Sequence, residues 1–206
     1  MSTALELKGS GTKRAGARER ILEAAYDLFS RNGIRAVGVD RVIAESDVAK
    51  MTLYRNFASK DELVLEFMRR REERWTKQWL QADVERRTDD PAERLLAIFD
   101  VFDGWFRKDD FEGCSFINVL LEVTDEASPI RLATVEHLAT IRSFLRGLAI
   151  DAGVAEPDDF ARRWHILMKG SIVAAGEGDR DAARRAQEIG RLVLTDGLAR
   201  AATATG

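Results

Sequence analysis

The sequence has little cysteine, little proline and no long apolar run, and each shortage excludes a class of protein. Cys114 is the single cysteine of the 206 residues, so no intramolecular disulfide can form, and a reducing, cytoplasmic setting fits best. With 3 prolines and 45% hydrophobic residues, the bulk of the chain is not disordered. No stretch approaches the roughly 20 apolar residues of a membrane span, and the N-terminus lacks a signal-peptide core. We therefore expect a protein that is neither exported nor membrane-spanning.

Catalytic and metal-binding patterns are also lacking. His137 and His165 have no cysteine or carboxylate at metal-ligand spacing, and the chain contains no nucleophile elbow, phosphate-binding loop or dinucleotide fingerprint. Cys114 has no second cysteine to resolve an oxidised thiol, so we interpret it as a packed side chain. The sequence predicts no catalytic residue, no metal site and no cofactor. A helical enzyme or lipid-binding protein is the competing class, and no constellation of acid, base and nucleophile supports it.

The net charge of -3 hides an uneven distribution along the chain. Residues 1–60 carry 11 Lys and Arg against 7 Asp and Glu, whereas residues 61–206 carry 21 against 28. A small basic part joined to a larger acidic part suggests that the N-terminal part meets a polyanion.

Helical periodicity runs through nearly the whole sequence, which predicts an all-α fold. Residues 1–15 are predicted to be a flexible basic arm. The prolines each stand at a predicted helix start, and Ser59 with Glu62 forms a capping-box pattern. The predicted helices cover residues 18–32, 39–46, 50–58, 59–85, 91–108, 113–125, 129–151, 157–175 and 179–202.

Residues 39–64 have the pattern of a helix-turn-helix. Two short helices joined by about three residues precede a longer helix, and the second short helix can then enter a DNA major groove. Leu53 and Phe57 share one face with Val48 and are expected to hold this recognition helix on the first helix. The opposite face and its flanks offer cations, an amide and a thymine-contacting surface, as a groove-reading helix requires.

This segment resembles the TetR family of transcriptional regulators. The resemblance covers about fifty residues: Val48, Thr52, Leu53, Tyr54, Phe57, Ser59, Lys60, Glu62 and Leu63, with the earlier pattern Ile21, Leu22, Ala24, Ala25, Leu28, Phe29 and Gly33. It implies a three-helix DNA-binding domain over residues 16–60, with DNA contacts from Lys50, Met51, Thr52, Tyr54, Arg55, Asn56 and Lys60. Tyr54 and Lys60 are expected to grip phosphates, and Lys50, Met51, Arg55 and Asn56 to set sequence preference, while Lys13, Arg14 and Arg18 add backbone contacts.

Two positions depart from the family pattern. Asp47 stands where the family usually has a turn glycine, and Ala49 stands where it usually has a capping serine. Asp tolerates the left-handed conformation, so the turn can survive, but Ala49 cannot cap the recognition helix, at a typical cost of about 1 kcal/mol.

The resemblance further implies that residues 61–206 form a helical effector-binding and dimerisation domain. Wide apolar stripes on the last two helices exceed what one layer needs and favour a homodimer. The predicted interface residues are Phe160, Trp164, Leu167, Met168, Ser171, Ile189 and Val193. The predicted pocket residues are Trp79, Phe102, Phe106, Phe116, Asn118, Glu122 and His137, with Trp75 and Phe99 as further candidates. Core packing is the simpler interpretation of these aromatics, and the arginine-rich run at 69–74 is interpreted as a solvated face.

The predicted function is a dimeric repressor that leaves a palindromic double-stranded DNA operator when it binds a small-molecule effector. The alternatives are an adaptor that has kept the dimer but lost DNA binding, for which Asp47 and Ala49 are the only supporting features, and a small-ligand-binding protein.

Overall fold

A computed structural model describes residues 16–204, in which nine helices and no strand are found. Three consecutive helical segments (Lys60–Arg71, Glu72–Gln81 and Ala82–Arg87) run on without a break and are treated as one helix, α4. The others are α1 (Ala17–Asn32), α2 (Val39–Ser46), α3 (Lys50–Asn56), α5 (Pro91–Phe106), α6 (Ser115–Glu122), α7 (Pro129–Asp151), α8 (Pro157–Gly176) and α9 (Ala182–Ala204). The predicted arm at residues 1–15, with Lys13 and Arg14, lies outside the described residues.

The all-α prediction is confirmed, and the local start signals act as expected. Each proline occupies the first turn of its helix, where the missing N–H removes no intrahelical bond. Ser59 caps α4: its Oγ accepts the backbone N–H of Glu62 at 3.1 Å, and the Glu62 carboxylate accepts the N–H of Ala58 at 2.7 Å.

Helix ends differ from prediction where the backbone leaves the helical region. The recognition helix α3 stops at Asn56, not Ala58, because Phe57 adopts an extended conformation (φ -142°, ψ 112°). Helix α6 is shorter than predicted and lies between Gly113 at φ 72° and the extended Val123. Sequence periodicity cannot locate such ends, because the last apolar residue of a helix often packs from just beyond it.

The first three helices pack around a small apolar core. Leu53 and Phe57 are fully buried, and Val48 is partly buried against the same core, as their spacing predicts. Arg20 of α1 donates from Nε to the carbonyl of Ser46 at 3.2 Å, which ties α1 to the end of α2. The recognition helix is therefore held on its inner face.

Helix α4 connects this core to the rest of the molecule. Phe67 meets the rings of Tyr26 and Phe29 edge-on, with centroids 5.7 and 5.5 Å apart. Beyond Arg71 the helix becomes π-helical, a form with i→i+5 hydrogen bonds that is found frequently at functional sites. The sequence predicted the long helix but gave no signal for this change.

Helices α5 to α9 form the larger helical layer, in which α8 and α9 approach closely. Gly190 and Gly197 of α9 make this approach possible. A Cβ at Gly190 would lie 3.0 Å from the Trp164 ring, and one at Gly197 would lie 2.7 Å from Val154 Cγ1. Within residues 16–204, no helix is long and apolar enough to cross a membrane.

Replacing Gly197 by Ala is expected to destabilise the fold by about 1–3 kcal/mol, because the added methyl overpacks the contact with Val154. Gly147→Ala is the matched control, since a Cβ there meets no atom within 4 Å, and it should be neutral or stabilising by up to about 1 kcal/mol. Urea unfolding of both variants and the parent measures the difference in the free energy of unfolding. Equal effects from the two substitutions would contradict the close approach.

Candidate DNA interface and ligand clefts

The recognition helix α3 presents an exposed face opposite its buried anchors. Met51 is 66% exposed and Tyr54 43% exposed, and Lys50 and Arg55 are also exposed. Thr52 and Asn56 are half-buried on the flanks, and Lys60 is half-buried at the first turn of α4. The predicted DNA-contacting residues thus lie together on one side of the helix-turn-helix, apart from the side that packs on α1.

Several of these side chains are engaged within the protein. Lys50 lies 3.6 Å from an Asp40 carboxylate oxygen, an exposed pair that contributes little to stability. The amide of Asn56 donates to the Thr52 carbonyl at 2.7 Å. Arg18 lies over the Phe57 ring and pairs with Glu66 at 3.2 Å. The exposed cations can therefore reach a phosphate by exchanging weak surface contacts, whereas Asn56 must give up a hydrogen bond to its own helix before it reads a base.

The turn between α2 and α3 keeps its geometry despite the two departures from the family pattern. Asp47 adopts the left-handed conformation (φ 49°, ψ 52°), and its backbone N–H bonds to the carbonyl of Ala44 at 3.4 Å. Ala49 is the N-cap of α3 in an extended conformation and provides no side-chain hydrogen bond. The aspartate thus replaces the glycine in its conformational role, and the missing serine cap is not replaced by a side chain at that position.

The predicted pocket residues fall in separate places. Phe116 stacks on His137, with ring centroids 5.2 Å apart, and the His137 Nδ1 atom contacts the Glu72 carboxylate. Phe99 packs against Trp164. Asn118 and Glu122 line a cleft of about 500 Å³ near the end of α1. The remaining candidates, Trp75, Trp79, Phe102 and Phe106, belong to an aromatic cluster between α4 and α5.

This aromatic cluster consists of Trp75, Trp79, Phe102, Trp105, Phe106 and Phe111. Trp75, Trp79 and Trp105 contact one another with ring centroids 5.2 to 5.5 Å apart, and Phe111 meets Trp105 at 4.9 Å. Phe102 and Phe106 are buried beneath them as core, whereas Trp79 is only partly buried. A cleft of about 190 Å³ opens on its edge, lined by Arg71, Trp75, Trp79, Trp105, Lys108, Asp110 and Glu112.

Sequence reasoning missed four residues here: Arg71, Trp105, Phe111 and Glu112. Glu112 lines this cleft, the cleft near the end of α1 and a third, largely apolar cleft of about 500 Å³ against α8. Burial raises the pKa of its carboxyl, against the opposing charge of Arg71, and its Oε2 atom is buried without a hydrogen-bond partner. An acidic residue directly after an aromatic one, in a loop between apolar helices, was the available signal.

The interpretation of residues 69–74 as a solvated face is wrong for Arg70, Arg71 and Arg74, the last of which pairs with Glu23 and lies over the Tyr26 ring. Arg70 forms ion pairs with Glu19 at 2.8 Å and Glu23 at 2.7 Å of α1. Arg71 is 7% exposed and donates to the hydroxyl of Tyr26 at 3.1 Å. Because Arg and Glu residues also dominate solvated helices, composition alone could not separate the two cases.

A second contact joins the large helical layer to the end of α1. The Glu122 carboxylate accepts the backbone N–H of Arg35 at 2.7 Å, across 87 positions of sequence. Gly33 adopts a positive φ of 77° beside it, and a Cβ at this position would collide with the Glu122 carboxylate. Glu122 thus holds the loop between α1 and α2, instead of only lining a pocket.

The buried side chains of His165 and Cys114 do not form a reactive site. Burial lowers the pKa of His165 to about 3, so this histidine is neutral near pH 7. Burial raises the pKa of the Cys114 thiol, which keeps it protonated. In the described part of the chain, no group of three His, Cys, Asp or Glu residues is placed to hold a metal ion.

The predicted interface residues divide between the protomer core and its surface. Phe160, Trp164, Met168 and Ser171 are buried inside the protomer, where Trp164 packs on Phe160 and Phe99, so they cannot present a surface to a second subunit. Leu167 and Val193 are partly buried, and Ile189 is 49% exposed. The apolar residues exposed on the same two helices include Ile166, Val173 and Leu192, which the sequence analysis did not assign to the interface.

Comparisons with known proteins agree with this architecture. Residues 21–67 match the family described as bacterial regulatory proteins, tetR family, and residues 91–189 match the tetracyclin repressor-like C-terminal domain. The chain therefore belongs to the TetR family of DNA-binding transcriptional regulators, as its helix-turn-helix sequence predicts.

Among solved structures, the TetR-family regulator SCO4454 from Streptomyces coelicolor superimposes with a TM-score of 0.80 at 27% identity, over 88% of this chain and 96% of that one. A TetR-type regulator from Streptomyces avermitilis superimposes with a TM-score of 0.74 at 29% identity, over 86% of this chain and 99% of that one.

Curated relatives include two HTH-type transcriptional regulators. QacR from Staphylococcus aureus is 31% identical over 72 residues, which are 35% of this chain and 38% of QacR. LmrA from Bacillus subtilis is 31% identical over 122 residues, which are 58% of this chain and 64% of LmrA. The matches thus span less than two thirds of either relative's length.

Ala49→Ser is expected to stabilise the protein by about 1 kcal/mol, because the serine hydroxyl can accept an N–H from the first turn of α3. Ala58→Ser is the control, since residue 58 is exposed and precedes a helix that Ser59 already caps. Chemical denaturation measures the free energy of unfolding of both variants. A gain no larger at position 49 than at position 58 would show that the cap of α3 is already satisfied.

Proposed function

We propose that the protein is a homodimeric repressor that binds a near-palindromic operator through α3 and leaves it when a small-molecule effector binds. The main support for this proposal is the exposed face of α3, whose cations and Met51 point away from the buried side chains Leu53 and Phe57. A rigidly held helix with such a face suits major-groove reading. The proposed domains are residues 16–60 for DNA binding and residues 61–206 for effector binding and dimerisation.

Phosphate and base contacts have distinct proposed roles. Lys60 stands at the N-terminus of α4, where free backbone N–H groups also favour an anion, so it is proposed to grip a phosphate together with Tyr54. Lys50, Met51, Arg55 and Asn56 are proposed to set sequence preference, with Thr52 touching the groove from the flank. Contacts to phosphate fix position, while contacts to base edges carry the sequence information.

Homodimerisation is proposed to use the exposed apolar face of α8 and α9. Ile166 and Val173 lie seven residues apart on α8, and Ile189 and Leu192 lie three apart on α9, with exposed fractions from 49% to 72%. Such spacings place each pair on one helix face. Two protomers joined there would bring two recognition helices about 34 Å apart, one turn of DNA.

Replacing Lys60 by Ala is expected to weaken binding to all DNA sequences alike and to reduce the slope of log K against log salt by about one unit. Lys77→Ala is the control, because Lys77 lies farther along the same helix and pairs with Glu73 at 3.2 Å. Fluorescence anisotropy on operator and random duplexes at several salt concentrations measures the slopes. If the slope for Lys60→Ala equals that of the parent, Lys60 contacts no phosphate.

The operator itself is to be selected from a random duplex pool by the purified protein. An enriched palindrome supports the repressor proposal, and Arg55→Ala or Asn56→Ala should then relax the preference at particular base pairs by about 1–3 kcal/mol. No enrichment by folded, dimeric protein at low salt would contradict DNA reading and favour the adaptor.

Ile166→Glu and Leu192→Glu are expected to convert the dimer to monomers, since each places a charge in the proposed apolar interface. Ile150→Glu is the control, because Ile150 is also exposed, at 47%, but lies at the end of α7. Sedimentation velocity measures the oligomeric state. A dimer that survives both substitutions would place the interface elsewhere.

A further inference from the structure

The narrow cleft at the edge of the aromatic cluster contains a buried guanidinium that forms no ion pair with the described residues. The residue is Arg71, which is 7% exposed. Its Nη1 atom donates to the Tyr26 hydroxyl at 3.1 Å and to the Ser30 hydroxyl at 3.5 Å, and both of these acceptors are neutral. Among residues 16–204, no carboxylate oxygen is close enough to this guanidinium to form an ion pair. Buried charges are ordinarily paired, so this position favours an anionic acceptor.

A second polar group in the cleft, the Trp75 indole N–H, also needs a hydrogen-bond acceptor. Trp75 is 8% exposed and lines the cleft one helical turn after Arg71, and its buried indole N–H has no acceptor among residues 16–204. A buried donor left unpaired typically costs about 1–3 kcal/mol. The charged guanidinium of Arg71 and the neutral indole N–H of Trp75 thus lie on one helix face, and both donors require an acceptor.

The other charged residues of the cleft are Lys108, Asp110 and Glu112. Lys108 is exposed at the rim and forms no ion pair with the described residues. Glu112 lines the same cleft, and among the described residues its buried Oε2 atom has no hydrogen-bond partner. Burial raises the pKa of its carboxyl, and the charge of Arg71 opposes that rise. The exposed Asp110 lies in water, where its repulsion of an anion is screened.

We propose that this cleft binds the carboxylate of an aromatic or otherwise apolar organic acid. The carboxylate accepts hydrogen bonds from Arg71 and from the Trp75 indole, and the rings of Trp79 and Trp105 cover the apolar body. Planar guanidinium groups match carboxylates in a two-point contact, and aromatic walls around a few polar groups are typical of ligand sites. This inference rests on the proposed function only in that it names the class of the effector.

The same arginine links the cleft to the DNA-binding helices. Tyr26 and Ser30, the two hydroxyl partners of Arg71, belong to α1. A carboxylate bound to the other N–H groups of this guanidinium would therefore lie directly beside a contact between α4 and α1.

The test uses three sets of probes on the full chain without DNA, each set sharing one carbon skeleton and differing in charge. The carboxylates are benzoate, 1-naphthoate and octanoate, and each is compared with its carboxamide and with the amine of the same skeleton by isothermal titration calorimetry. We expect at least one carboxylate to bind, with its carboxamide and its amine at least tenfold weaker. We further expect Arg71→Gln to weaken that carboxylate at least tenfold and Trp75→Phe to weaken it about threefold or more.

Arg69→Gln is the matched control, since Arg69 is exposed on the same helix and pairs with Glu66. It should leave carboxylate affinity unchanged. Trp75→Phe removes the N–H and keeps an aromatic ring, so it decides the matter if Arg71→Gln does not fold. The proposal is overturned if none of the three carboxylates binds, if an amine binds best, or if the foldable cleft variants bind as the parent does. Such a result leaves operator selection untouched, so the effector class and the DNA-binding function are tested separately.

Discussion

Helix α4 is the constraint on which the rest of the structure depends, because both halves of the protein are built on it. Its first turns pack Phe67 against Tyr26 and Phe29, and Arg70 and Arg74 form ion pairs with Glu19 and Glu23 of α1. The guanidinium of Arg74 holds the pKa of the Glu23 carboxyl below its ordinary value, as expected of a charge-assisted contact. Directly after Arg74, the same helix provides Trp75 and Trp79, two of the three tryptophans of the aromatic cluster.

This arrangement leaves few independent ways for the two halves to move relative to each other. Apart from α4, the Glu122 carboxylate holds the loop after α1 through the N–H of Arg35. A rotation of α4 would act on both contacts, because Arg71 faces the cleft and α1 at once. The π-helical segment Glu72–Gln81 contains both Arg74, which pairs with Glu23 of α1, and the tryptophans Trp75 and Trp79, so it lies where such a change would be transmitted.

The DNA-binding half was predictable in detail because its signals are local. Leu53 and Phe57 are four residues apart and must share a helix face, and Ser59 with Glu62 marks a helix start without any tertiary information. Asp47 likewise belongs to a small set of residues that tolerate a positive φ, and it adopts one.

The larger half was predictable only as a set of helices. Periodicity identifies an apolar stripe on α8, but not whether α9 or a second subunit covers it, so Phe160 and Trp164 were assigned to an interface although they are core. The ligand clefts depend on contacts across long stretches of sequence, such as Arg71 with Tyr26, which helical spacing does not encode. The change to π-helix at Glu72 leaves no compositional trace at all.

The placement of the tryptophans gives the molecule two separate optical reporters. Three of its 4 tryptophans lie together at the narrow cleft, and the fourth, Trp164, is fully buried between α8 and α9, stacked on Phe160. Indole emission depends on the polarity of the surroundings, so events at the cleft and events at the α8–α9 contact change different fluorophores. A Trp164→Phe protein would therefore emit from the cleft alone, and the chain needs no added dye to follow that region through a titration.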